Sequence, residues 1–332
     1  MTRGLVIGKF YPPHLGHSYL INYALEHSDE VIVLICDSPL YTIPATTRQD
    51  WLQRIHPRAD VRIIPDIGKD DDSEAWAQHT IEFLGEAPDV VFSSEDYGIT
   101  YAACMGCEHV MVDRKRTHVP ISATRIRNNI LKEWDFLDPI VKADLALRID
   151  IVGAESTGTT TLAKSLAKAA HAPWVPEYGR LYSEAFLHTD HEWKDEEFVH
   201  IAKTQQALER AVAATSHGVI ICDTNAFATS IWQERYMGHT TNDVAAIANT
   251  DKADLYIVTG DEIPFVQDGT RDGEHIRHSM HQRFVEELTK KDIPLTIIRG
   301  SRSERLKKAK QAMQNILAHA DITKVYERQA AH

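Results

Sequence analysis

Short apolar runs recur along the chain, separated by longer stretches in which apolar positions return every three or four residues. "GLVIGKF", "EVIVLIC", "VRIIP", "DVVFSS" and "HVMVD" read as buried strands, because each is brief and dominated by branched apolar side chains. Helical patterns lie between most of them, so the rhythm predicts βαβ units around a parallel sheet. "SATRIRNNILKEW" is a helix pattern closing this series, and "DFLDPIVKADLA", interrupted by proline, reads as a connection. A second series then begins with "LRIDIVG" and continues through "GVIICD", "DLYIVTG" and "PLTIIRG". "DEEFVHIAKTQQALERAVAAT" and "SRSERLKKAKQAMQNILAHA" add long amphipathic helices. The expected fold class is α/β, two tandem doubly wound parallel-sheet domains over residues 1–145 and 146–332, with the boundary near 138–146.

Composition agrees with that layout. The chain has 332 residues, and a domain typically takes roughly 100–200. Apolar residues make up 43% and the net charge is −12. Both halves are acidic and no basic stripe appears, so a nucleic-acid partner is not expected. The longest apolar run, "VIVLIC", is too short to span a bilayer, and no leader precedes "GLVIGKF". A cytoplasmic protein without a membrane partner is therefore expected; whether copies form a homo-oligomer is not decided. Cys104 and Cys107 form a C-x-x-C pair with no second pair to complete a metal site, and a helical reading makes both core-facing. His275, His278 and His281 turn too far round a helix to ligate one ion and read as a solvated face.

Each series opens on a strand feeding a turn with phosphate-binding chemistry. In "GKFYPPHLGHSYLI", His14 and His17 flank Gly16 at the start of a helix, where free N–H groups and the positive dipole end favour anions. Lys9 adds a cation at the strand end. "ISATRIR" places Ser122 and Thr124 at another helix start with Arg127 on its first turn, able to cap the helix or clamp phosphates. Both segments follow strands of one predicted sheet, at the carboxyl edge where open α/β sheets bind ligands.

These paired motifs, with "SSEDYG" and "VDRKRTHVPISATRIR", resemble the bifunctional nicotinamide-nucleotide adenylyltransferase / ribosylnicotinamide kinase family, in which a P-loop kinase domain follows the transferase. The resemblance implies adenylyl transfer from ATP to nicotinamide mononucleotide, giving NAD and pyrophosphate without a covalent intermediate. It implies that His14 and His17 contact the ATP phosphates, that Lys9 holds the incoming phosphate, and that Ser122, Thr124 and Arg127 grip the β/γ end. Phe10, Tyr11, Gly16, Ser94, Glu95 and Tyr97 are expected around the substrate, with Trp76 a candidate for stacking on the nicotinamide ring. Mg2+ would be bound chiefly by phosphate oxygens and waters.

"IVGAESTGTTTLAKSLA" is the second site. A G-x-x-x-x-G-K-[ST] loop wraps phosphates in backbone N–H groups, bridges the terminal ones with lysine and holds Mg2+ with a hydroxyl. Gly153, Glu155, Ser156, Thr157, Gly158, Thr160 and Thr161 supply the loop and helix start, but Thr159 stands where lysine belongs. Lys164 lies four residues into the helix, a poor substitute. Asp223 ends a strand, placed to bind Mg2+ with Thr160 or to act as base. Glu177, Tyr178 and Arg180 resemble the family's E-Y-x-R element. Asp268, Arg271 and Arg277 lie in a lid-like segment from which either arginine could provide the missing charge. The resemblance then implies ATP-dependent phosphorylation of ribosylnicotinamide. Two alternatives stay open: a nucleotide-sensing regulator with a silent P-loop domain, and adenylyl transfer to another phosphorylated acceptor such as phosphopantetheine. Family members that bind DNA carry an extra domain, and no room for one is expected ahead of the first strand.

Overall fold

The computed structural model describes residues 1–186, 191–251, 253–266 and 273–320. They fall into two compact units, Met1–Val141 and Lys142–Ala320, so the change of unit lies within the helix Pro139–Leu145.

The first unit has five parallel strands: β1 (Arg3–Gly8), β2 (Glu30–Asp37), β3 (Asp60–Pro65), β4 (Val90–Ser93) and β5 (Glu108–Met111), in the order β3-β2-β1-β4-β5. Leu5 of β1 sits opposite Ile32 of β2 on one side and Val91 of β4 on the other. The apolar runs of β1, β2 and β4 are unbroken by polar residues because helices cover both faces, whereas the edge strand β3 admits the exposed Arg62. Val6, Val31, Val33 and Ile35 pack on Leu20, Ile21 and Ala24 of the helix Leu15–His27. Leu5, Ile7, Ile32 and Leu34 pack on the opposite face against Ala77, Tyr101, Ala102 and Met105. Burying each such aliphatic side chain stabilises the fold by roughly 1.5–3 kcal/mol, so a polar residue at any of these positions would be severely disruptive. β1 lies between β2 and β4, so successive crossovers leave in opposite directions and a crevice opens at the strands' carboxyl ends.

The second unit repeats the plan with β6 (Leu147–Val152), β7 (Trp174–Val175), β8 (Val219–Asp223), β9 (Leu255–Thr259) and β10 (Leu295–Ile298), ordered β10-β9-β6-β8-β7 and all parallel. Every residue of β6 is buried, including Arg148 and Asp150. Such polar groups are tolerated only when paired. Arg148 donates to the carbonyls of Ala143 and Ala146, and Asp150 accepts from the Asn225 amide.

Two sequence expectations need correction, and one strand lies outside them. The helix from Ser122 stops at Asn128, because the Asn129 side chain accepts from the Lys132 N–H and turns the chain; Trp134–Phe136 is a separate 3-10 turn. Cys104 is exposed on the helix Tyr97–Met105 rather than facing the core, whereas Cys107, half-buried beyond the left-handed Gly106 cap, does pack against the core. β7, only two residues long, carries no periodicity to read. Among the described residues, no helix is long and apolar enough to cross a membrane.

Candidate functional sites

The first site is a cavity of about 650 Å3 at the carboxyl ends of β1 and β4. Lys9, Phe10, Tyr11, His14, Gly16, His17, Trp76, Ser94, Glu95, Tyr97, Ser122, Thr124 and Arg127 all line it, so the segments around positions 9–17 and 122–127 meet in one space. Their link is direct: the Arg127 guanidinium donates to the Tyr11 carbonyl at 2.7 Å and to the Thr124 hydroxyl at 2.9 Å. Ser122 caps its helix by accepting from the Arg125 N–H.

His14 is the N-cap of the helix Leu15–His27, and its Nδ1 accepts the His17 N–H at 3.2 Å. The two imidazoles stack with ring centres 3.7 Å apart. Gly16 allows this, since a Cβ there would lie 3.0 Å from His14 Cε1 and 3.3 Å from an Ile121 methyl. Burial, reinforced by the Arg116 charge, pushes the His14 pKa down to about 3. Burial, then His14 and Arg116, holds His17 well below the usual histidine range. Both rings are therefore neutral at physiological pH. A neutral His14 that accepts at Nδ1 carries its proton on Nε2, which makes Nε2–H a donor.

Lys9 pairs with Asp70 at 2.9 Å. Burial works against its charge, but hydrogen bonds to Asp70 and Tyr41 outweigh that and raise the pKa. Tyr97 donates to the Ile7 carbonyl at 2.9 Å, tying the segment after β4 to β1.

Two further arginines escaped the sequence reading. Arg48 is fully buried and donates to the carbonyls of Lys9, Ile43 and Cys36, fixing the backbone that carries Lys9. Arg116 lines the cavity and pairs with Glu95 at 3.0 Å. Its loop is built around the Asp113 carboxylate, which accepts from the N–H groups of Thr117, His118 and Val119 and from the Thr117 hydroxyl. Asp113 and Arg116 both take left-handed φ, of 47° and 51°. Hydrophobic periodicity carries no trace of such a loop.

In the second site, the loop after β6 leads into the helix Thr159–Ala170 with Gly158 left-handed at φ 84°. Gly153 cannot be replaced by a larger residue without movement, because its Cβ would fall 2.4 Å from Thr259 Oγ1. A cavity of about 170 Å3 is lined by Gly153, Glu155, Ser156, Gly158, Thr159, Thr160, Thr161, Glu177 and Arg180. Its far wall is aromatic, with Trp193, Phe198, Trp232 and Tyr236. Tyr178 does not line it; its hydroxyl meets His200 at 3.0 Å. Asp223 is buried at the end of β8, with Oδ1 lacking a hydrogen-bond partner. Burial raises its pKa to about 6, against the lowering effect of the Thr160 and Thr159 hydroxyls and of the Lys164 and Arg180 charges. Lys164 places its ammonium 4.4 Å from the Trp174 ring centre. The Glu155 side chain is engaged by Arg235 and the Gly273 N–H, so only its backbone is offered to a phosphate. Arg277 donates to the Ser156 carbonyl at 3.2 Å. Asp268 and Arg271 lie outside the described residues.

The histidine series is a solvated face at His275 and His278, and departs from that expectation at His281. His281 is buried against Arg299, and His278 pairs with Asp261 at 2.7 Å. No cluster of metal-ligating side chains occurs among the described residues.

Residues 5–129 match the cytidylyltransferase-like family and residues 148–305 match an AAA domain family. The chain is 29% identical over 313 residues to the trifunctional NAD biosynthesis/regulator protein NadR of Escherichia coli strain K12, covering 86% of this chain and 76% of that protein. It is 32% identical over 111 residues to a nicotinamide-nucleotide adenylyltransferase of Aeropyrum pernix, covering 29% of this chain and 60% of that one. Crystal structures of a NadR protein, one in complex with NR and one with NAD and AMP-PNP, have the same fold, with TM-scores of 0.72 and 0.71, 22% identity and 96% of both chains covered. With both catalytic modules in this order, the chain belongs to the bifunctional nicotinamide-nucleotide adenylyltransferase / ribosylnicotinamide kinase family.

Proposed function

We propose that the chain makes NAD in two steps: ATP-dependent phosphorylation of ribosylnicotinamide in the second unit, then adenylyl transfer to nicotinamide mononucleotide in the first. The observation that carries this reading is the convergence of the stacked His14–His17 pair with Ser122, Thr124 and Arg127 in one cavity. Its volume, about 650 Å3, falls within the roughly 300–1,000 Å3 usual for small-molecule sites. The names of the relatives support the acceptor.

In the first step of chemistry at this site, a 5′-phosphate oxygen of the mononucleotide attacks the α-phosphorus of ATP. The bond from that phosphorus to the bridging oxygen breaks, and its electron pair leaves with pyrophosphate. No proton transfer is needed, so positioning and charge stabilisation do the catalysis. Neutral His14 offers Nε2–H to the phosphate oxygens, while Arg127, Ser122 and Thr124 hold the leaving end. Lys9 exchanges Asp70 for the incoming phosphate.

In the second unit, the 5′-hydroxyl oxygen of the riboside would attack the γ-phosphorus of ATP, with the aromatic wall of Trp193, Trp232 and Tyr236 receiving the pyridine ring. The bond from that phosphorus to the β,γ-bridging oxygen breaks, its electron pair leaves with ADP, and the hydroxyl proton passes to Asp223 or water. Mg2+ fits at Thr160 and Asp223, where Asp223 Oδ1 is buried without a partner; when bound, it would neutralise the triphosphate. Asp223 orients the attacking hydroxyl.

Incubating the pure chain with ATP, Mg2+ and each acceptor, and following pyrophosphate and ADP separately, tests both halves. Pyrophosphate with the mononucleotide and ADP with the riboside are expected. Pyrophosphate only with a different phosphorylated acceptor would overturn the first assignment. No riboside-dependent ADP above an Asp223→Ala control would leave the second unit a nucleotide sensor.

A further inference from the structure

The loop that lacks its lysine is gripped from behind by three arginines on three consecutive residues. Arg235, from the helix Ala226–Met237, pairs with the Glu155 carboxylate, which also accepts the Gly273 N–H at 2.8 Å. Arg277, at the start of the helix Arg277–Thr289, donates to the Ser156 carbonyl at 3.2 Å. Arg305, in the helix Arg302–Leu317, donates to the Thr157 carbonyl at 2.7 Å. These are three separate elements converging on one short turn, and Arg277 and Arg305 are only 8% and 5% exposed.

Their charges are not equally committed. Arg305 also donates to the carbonyls of Gly300 and Gly260 and pairs with Glu262 at 2.6 Å. Arg277 forms no direct ion pair among the described residues and its Nε makes no hydrogen bond; it lies over the Phe265 ring, and the Asp261, Glu262 and Glu274 carboxylates support its charge only from beyond contact. Burying a guanidinium without a carboxylate is costly unless another negative group completes it.

We propose that Arg277 and Arg305 replace the missing lysine through the peptide backbone, by polarising the two loop peptides whose N–H groups face the nucleotide phosphates. The carbonyl of Ser156 shares its peptide with the Thr157 N–H, and that of Thr157 with the Gly158 N–H. A cation on the oxygen draws electron density from the nitrogen and makes each N–H a stronger donor to an anion, the cooperative effect expected of chained hydrogen bonds in a low-dielectric site. Lysine in such a loop delivers its charge from the ligand side; here the charge arrives from the opposite face, leaving the Thr159 position to a hydroxyl. Arg277 and Arg305 are positioning residues on this account, and Arg235 fixes the loop's first turn. The inference deepens the kinase reading, but its test does not depend on the acceptor.

The test is titration of the full chain, with Mg2+ present, by the β,γ-imido analogue of ATP and separately by adenosine. Parent, Arg277→Met, Arg277→Lys, Thr159→Lys and the double variant Thr159→Lys/Arg277→Met are compared, so binding in the first cavity is common to all and cancels. Arg277→Met should weaken the triphosphate about tenfold or more, as expected for a lost charged hydrogen bond, and leave adenosine unchanged. Arg277→Lys should retain most of the affinity. Thr159→Lys should restore the triphosphate in the Arg277→Met background and add little to the parent, a non-additive cycle. Equal weakening of adenosine and triphosphate would show a merely structural arginine and overturn the proposal. So would the same gain from Thr159→Lys in both backgrounds. If the pattern holds but no riboside is phosphorylated, the kinase assignment fails and this one stands.

Discussion

Lowering the pH from 7.5 to 5 should destabilise the first unit and stabilise the second. In the first unit, His14 has its pKa pushed from 6.5 to about 3 by burial and Arg116. The unfolded chain then binds a proton at pH 5 that the folded one refuses, so stability falls as acid is added. The loss from His14 alone is 1.36 kcal/mol per unit over the interval from 6.5 to 5, or about 2 kcal/mol. His17, also held down by burial, His14 and Arg116, acts in the same direction. The second unit carries the opposite device. Burial raises Asp150 from 3.8 to about 7, with Asp251 adding repulsion. Burial also raises Asp251 and Glu209. The folded state there holds protons at pH 5 that the unfolded chain releases, worth about 2–3 kcal/mol at Asp150, with buried His281 opposing in part. Hydrogen–deuterium exchange of slow amides, corrected for intrinsic rates, reads the two sheets separately. Protection in β1 and β2 should drop between pH 7.5 and 5 while protection in β6 and β9 holds or grows. A fall of equal size in both sheets would refute the assignment of neutral histidines to one core and shared protons to the other.

His17→Ala should cut pyrophosphate release by roughly a hundredfold or more, the usual loss on removing one phosphate-facing donor, while riboside-dependent ADP formation continues; loss of both together would mean the units are not independent. Arg127→Lys keeps the charge but loses the planar fork that donates to Tyr11 and Thr124 from two separate nitrogens, so kcat/KM for adenylyl transfer should fall about tenfold with circular dichroism unchanged. A Cβ at Gly98 would lie 2.1 Å from Ser93 Oγ and 2.6 Å from His109 Nε2, so Gly98→Ala should cost about 1–3 kcal/mol by denaturant titration.

The alternation of short apolar runs with helical periodicity carried both sheets, because parallel strands covered on two faces keep a polar residue only where it is paired, as Arg148 and Asp150 are in β6. It did not carry β7, whose two residues are too few for any period. The helix expected from Ser122 to Trp134 failed for a local reason, since Asn129 competes for the backbone with its own side chain and propensity cannot foresee that turn. At the first site, His14, His17, Ser122, Thr124 and Arg127 were legible because each sits at a helix start after a strand. Arg116 was not, although it stands in a stretch the sequence reading singled out. Its place depends on the left-handed φ of Asp113 and Arg116 and on four hydrogen bonds to one carboxylate. Arg235 and Arg305 were invisible for a related reason: on the sequence they are charges within amphipathic helices, and only the packing turns them towards the loop.

The cations of the first site share one arrangement, which bears on how an acidic chain selects phosphates. Lys9 is tethered to Asp70, Arg116 to Glu95, and Arg127 to the Tyr11 carbonyl. At the centre, where negative charge develops, stand two imidazoles without charge. A neutral N–H donor beside the α-phosphate strengthens its hydrogen bond as charge builds, since the strength of a hydrogen bond grows with the charge on its acceptor. The tethers act at the rim in a complementary way. Each acid must be exchanged for a phosphate oxygen, so a neutral ligand gains nothing by approaching and a dianionic phosphate gains most. On the proposed function, discrimination for phosphorylated acceptors would be set by the rim pairs, and rate by the neutral pair between them. Asp70→Asn, which frees Lys9 without removing it, should therefore lower discrimination against sulfate and other anionic competitors in inhibition assays while leaving kcat within about twofold; a kcat that fell with it would place Asp70 in the chemistry instead.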